Sequence, residues 1–144
     1  MTHQDKGHYA KKHPETPMDH TICDRIKERG GEKNSLTCAA AHQIAKELDI
    51  DVAAVGIQAD LLEFRITRCQ MGLFGYAPEP KKIDPQIRIP AALDQALAAY
   101  SDLGSISCQQ CWEISHALKI SKFDLGSACE KKKLKIKPCQ LGAF

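Results

Sequence analysis

Between residues 38 and 48 the sequence CAAAHQIAKEL places Ala41, Ile44, Ala45 and Leu48 three and four positions apart, the spacing of an amphipathic helix. Thr37 stands where an N-cap belongs. The turn Asp49-Ile50-Asp51 follows, and VAAVGIQADLLEF then predicts a further helix that buries Val55, Ala59 and Leu62. Upstream, TPMDHTICDRIKERGG predicts a helix with Ile22, Cys23 and Ile26 on its apolar stripe, stopped by Gly30 and Gly31. Downstream, RITRCQ alternates as a short strand does, with a glycine turn after it.

The same order returns 70 positions later. IPAALDQALAAYSDLG predicts a helix, with Pro90 suited to its first turn and Gly104 to its far end. Ser107 is placed to cap the next one. Residues 35–74 align with 105–144 without a gap, and the two stretches share Ser35/Ser105, Cys38/Cys108, Ile44/Ile114, Leu48/Leu118, Ile50/Ile120, Gly56/Gly126 and Ile66/Ile136. They also share their endings, CQMGLF and CQLGAF, through Cys69/Cys139, Gln70/Gln140, Gly72/Gly142 and Phe74/Phe144. The period is too long for a solenoid repeat, so the chain reads as two tandem units of about 70 residues. A structural role is expected for the repeated motif: Gly72 and Gly142 allow a tight turn, Phe74 and Phe144 plug the core, and a pseudo-two-fold axis relates the two copies.

Helix, short strand, helix, tight turn, helix, strand, glycine turn is an order that resembles a winged helix-turn-helix unit. The residues that carry the resemblance are IAKELDIDVAAVGIQADLL and, more weakly, EISHALKISKFDLGSACEKK. Ala45 sits where the family places a small residue, and Ile50 and Val55 sit at its apolar anchors. The turn glycine is replaced by Asp49 in one unit and Lys119 in the other. No return strand for the wing is expected after residue 144, and Pro78 and Pro80 are expected to break one after residue 75. The expected fold is therefore mainly α with short β strands, as two tandem winged helix-turn-helix-like units with truncated wings. The expected layout is a polar arm over 1–17, a first unit over 18–75, a Pro/Lys linker over 76–85 and a second unit over 86–144.

Such a resemblance implies a DNA-binding regulator whose second helix of the motif lies in the major groove. Charge separates the two units. Residues 1–74 hold 10 basic and 11 acidic side chains; residues 75–144 hold 10 and 7. The first unit has no Lys or Arg between Lys46 and Arg65, and its third helix is expected to expose Gln58, Asp60 and Glu63, which phosphate repels. The second unit carries Lys122, Lys131, Lys132, Lys133, Lys135 and Lys137 as phosphate contacts, with Ser121 and Ser127 nearest the bases. A solvated lysine-rich helix end is the bland reading of the same run, and a protein-interaction or scaffold module on the same fold is the rival function. The internal duplication allows a pseudo-dimer within one chain.

Seven cysteines add a second candidate chemistry. Cys38 and Cys108 open helices, and Cys69 and Cys139 lie on the strands that pair beside them in the resembling fold. Cys108, Cys111, Cys129 and Cys139 give the second unit four thiols, a number that suits zinc or an iron–sulfur cluster and would make the protein a sensor. Burial as small apolar side chains is the simpler reading. His3, His8, His13 and His20 read as part of a disordered polar arm.

Composition changes the picture little. The chain is 43% hydrophobic and 26% charged, with a net charge of +2, so nucleic acid is neither required nor excluded. No apolar run reaches membrane-spanning length. The polar start has no signal-peptide core, and a cytoplasmic location is expected. No phosphate-cradling glycine loop, nucleophile elbow or HExxH occurs, so no catalytic residue is expected.

Overall fold

The computed structural model describes residues 8–144. It is mainly helical with four short strands: α1 His20–Arg29, β1 Ser35–Thr37, α2 Cys38–Leu48, α3 Val52–Leu61, β2 Arg65–Thr67, α4 Ala91–Ala98, β3 Ser105–Ile106, α5 Cys108–Leu118, α6 Lys122–Lys131 and β4 Lys135–Ile136. From β1 onward, each element of the first half recurs about 70 residues later. No helix among the described residues is long and apolar enough to cross a membrane.

Caps fix the helix starts. Asp19 accepts from the Ile22 N–H at 3.2 Å, Thr37 from Ala40 at 3.1 Å, Asp51 from Ala53 at 3.1 Å and Ser121 from Asp124 at 3.1 Å. Ser107 and Gln110 form a reciprocal capping box. Each cap contributes about 1 kcal/mol to its helix. The corners between α2 and α3 and between α5 and α6 both turn through a left-handed residue, Asp49 at φ 54° and Lys119 at φ 56°.

The chain divides into two compact units, residues 1–69 with 140–144, and residues 70–139. In the first, Ile26, Leu36, Ile44 and Val55 are essentially inaccessible. Leu36 and Ile66 face each other in a parallel pair of strands, β1 with β2, and α2 and α3 form the crossover between them. Phe64 is buried, whereas Leu62 caps α3 and is only half-buried. In the second unit Leu93, Leu97, Ile106 and Leu125 fill the centre, and β3 pairs with β4, again parallel. Neither β2 nor β4 has a second strand partner among the described residues.

The unit boundaries differ from those expected. Residues 76–85 belong to the second unit, where they lie along α6 instead of forming a linker. Residues 140–144, which follow the last strand of the second unit, belong to the first. The expected disordered arm is ordered from residue 8: Tyr9–Lys12 form a 3-10 turn, and Tyr9 is buried. The part of the arm that holds His3 lies outside the described residues.

Candidate nucleic-acid interface

In a helix-turn-helix reader, the N-terminal part of the second helix meets the bases. The resemblance would give that place to α3 and α6. In the first unit the arm covers α3. Gln58 and Asp60, expected to be exposed, are 6% and 8% accessible. The Gln58 side-chain carbonyl accepts from the Asp19 N–H at 2.9 Å, and its amide donates to the Pro17 carbonyl at 3.2 Å. Asp60 is held between Lys12 and His13, each at 2.9 Å. Glu63 accepts the Tyr9 and Ala10 N–H groups at 2.8 and 2.9 Å. Gln58 and Asp60 of α3, with Glu63 just past its end, thus anchor residues 9–19.

The second unit is arranged in a similar way. The Asp84 N–H donates to Ser127 Oγ at 2.8 Å, Lys131 Nζ donates to the Ile87 carbonyl at 2.9 Å, and Lys81 pairs with Glu130 at 2.7 Å. Ser127 is therefore in the core at 2% accessibility and cannot meet a base. Lys132 is paired with Asp94, and Lys122 lies over the Trp112 ring, 4.5 Å from its centre. Ser121 is exposed, but its hydroxyl is committed to capping α6. The next two exposed positions are Phe123, edge-on to Tyr76, and Asp124. The start of α6 thus presents an aromatic ring and a carboxylate where a base reader needs donors.

Three of the expected phosphate contacts remain open. Lys133, Lys135 and Lys137 are exposed, while Leu134 is buried and Ile136 half-buried between them. Lys135 opens β4, and Lys133 and Lys137 flank the strand, so the three lysines are exposed at every second position. Backbone bonds pin the row: the Lys133 N–H donates to the Glu130 carbonyl, Lys135 to Gly104 and Lys137 to Ile106. None of the three ammonium groups has a partner among the described residues. Lys133 takes a left-handed φ of 57°, the same value as Glu63 seventy positions earlier. The same backbone site thus carries an anchor for the arm in one unit and an open cation in the other.

The cysteines do not assemble as a four-thiol centre. All seven are reduced thiols. Cys111 and Cys129 are fully buried and hydrogen-bonded to each other. That bond, with burial behind it and Cys108 nearby, pushes the Cys111 thiol far above its ordinary range, while the same bond lowers Cys129. Cys139 is half-buried. No group of three or more His, Cys, Asp or Glu among the described residues is arranged to hold a metal ion. Cys38 and Cys108 are buried as the first residues of α2 and α5, and Cys69 is buried two residues past β2.

The repeated motif has a definite place. Gly72 and Gly142 both take left-handed conformations, at φ 79° and 75°. Phe74 is buried at 5%, but Phe144 is 41% accessible, and Leu141 and Ala143 are buried there instead. The sequence alignment pairs the two phenylalanines but carries no sign of this difference. Comparison with known protein families, curated proteins and solved structures finds no match for this chain.

Proposed function

We propose that the protein is a DNA-binding regulator of helix-turn-helix type that grips the phosphate backbone of a duplex without reading its bases. The observation that carries this reading is the row Lys133, Lys135 and Lys137, three exposed cations on β4 and its flanks with no partner among the described residues. Phosphate contacts position a protein on DNA without conveying sequence. The buried Ser127 and the arm-covered α3 remove the side chains that would read sequence. Non-specific affinity in the range of about 10⁻⁴ to 10⁻⁶ M is expected at physiological salt.

Three neutralised phosphates give a log–log salt slope of about −2.7. Titration of a labelled duplex at several salt concentrations should return about that slope, with little dependence on sequence. Replacing all three lysines by Ala should remove most of the binding and bring the slope close to zero. Binding that survives this replacement unchanged would place the interface elsewhere.

The covered faces of α3 and α6 favour one alternative, a protein-interaction module on the same fold. Absence of duplex binding at low salt would select it.

A further inference from the structure

The segments Gln70–Phe74 and Gln140–Phe144 do the same job in different units. In the second unit a Cβ added to Gly126 on α6 would overlap the Met71 carbonyl, and Met71 is fully buried. In the first unit a Cβ on Gly56 of α3 would overlap the Leu141 carbonyl, and Leu141 is 3% accessible. Glycine at these two helix positions lets a backbone carbonyl of the motif rest directly on the helix. A Gln-aliphatic-Gly-x-Phe segment is thus the cognate occupant of this groove, and the fold uses that recognition twice.

The two occupants are held unequally. Residues 70–74 are locked: the Gly72 carbonyl accepts the Lys82 N–H at 2.7 Å, Phe74 is buried, and Tyr76 packs on Phe123. In residues 140–144 the Lys12 ammonium donates to the Gly142 carbonyl at 3.1 Å, and Phe144 is 41% accessible against 5% for Phe74. Unit assignment also differs from chain order, since residue 139 counts with the second unit and residue 140 with the first.

We propose that the Gly56 groove of the first unit is a peptide-docking site and that residues 140–144 are its exchangeable ligand, so that a second copy of this chain can supply the segment in trans. The argument for a second copy is sequence identity: the segment that fits the groove is one every copy carries. In the intact protein the cis segment has an effective concentration in the mM range. Wild-type chains therefore stay monomeric at μM concentrations, and exchange becomes visible when the cis pairing is broken.

Two variants break it in complementary ways. Gly56→Ala blocks the groove and releases the segment. Leu141→Asp leaves the groove open and spoils the segment. By sedimentation velocity, each variant alone should remain monomeric, and an equimolar mixture should form a 1:1 heterodimer. A mixture of folded variants that remains monomeric at high μM concentration overturns the proposal.

If Leu141→Asp does not fold, the wild-type protein gives an independent reading. A fluorescein-labelled peptide of residues 137–144 should bind it saturably, one per chain, and an unlabelled copy should compete. The peptide carrying Leu141→Asp should compete at least tenfold less well. No saturable binding at mM protein, or equal competition by the two peptides, overturns the proposal.

Discussion

At the scale of single residues, Glu63 shows what the structure adds to the sequence. Its place after a helix predicts an exposed acid that would repel phosphate. Instead it accepts two N–H groups of the arm. Burial pushes its carboxyl up, but the bonds from Ala10 and Tyr9 outweigh this and hold it below the ordinary carboxylate range. A carboxylate lowered by folding stabilises the docked arm above its unfolded value of about 4.3, and that contribution is lost as pH falls through the lowered value. Acidification from pH 6 to pH 3 should therefore loosen residues 8–13 from α3. Glu47 is also lowered, chiefly by its hydrogen bond to Arg29, so a global melt would mix the two carboxylates. The amide resonances of Tyr9 and Ala10 separate them: both should move in this window, and Glu63→Gln should remove that pH dependence. Ser127 teaches the same lesson. Its polarity and its place on the third helix suggest a base contact, but its partner is the Asp84 N–H, 43 residues away in the chain. No local pattern reports such a bond.

At the scale of elements, the helices were legible because their signals are local. Ala41, Ile44 and Ala45 are spaced for one face, and all three are buried. Thr37, Ser107 and Ser121 cap because the hydroxyl reaches a free N–H two or three residues on. The pairing of β1 with β2 was expected from the resemblance alone, because three-residue strands carry no local signal of their partner. Not legible was what lies on α3 and α6 from outside, because a covering segment such as residues 8–19 or 81–87 has no periodicity of its own. The sequence does contain one trace of it. Gly56 and Gly126 stand mid-helix, where glycine costs about 1 kcal/mol against alanine, and an unexplained helical glycine signals a close approach. Gly126→Ala should destabilise by about 1–3 kcal/mol, because the Met71 backbone it displaces is locked on both sides. Gly56→Ala should destabilise too, because it displaces the Leu141 backbone and with it a side chain that is 3% accessible. Chemical denaturation measures both. Stabilisation by about 1 kcal/mol, the gain in helix propensity alone, would show that the close approach does not exist.

At the scale of the whole molecule, the sequence repeat and the compact units are offset from each other. The 70-residue period is visible in the sequence, and the first division of the chain falls at 69/70. Nothing in the period tells which unit holds each copy of the closing motif, because similar segments fit similar grooves. The assignment of residues 140–144 to the first unit makes the two units unequal when the chain is divided. A fragment of residues 70–144 contains every residue of the second unit, including Met71 against Gly126. It should unfold cooperatively, with the single tryptophan, Trp112, reporting the transition. A fragment of residues 1–69 lacks the segment that rests on Gly56. Alone it should be loosely packed, with poorly dispersed amide spectra. Adding fragment 70–144 should order it, and adding 70–139 should not, because only the longer fragment brings Leu141 and Ala143 to α3. Equal ordering by both fragments would mean that residues 140–144 are dispensable to the first unit. A well-dispersed 1–69 spectrum without any addition would mean that its core closes without the segment, and the shared motif would then be a relic of the repeat without a structural task.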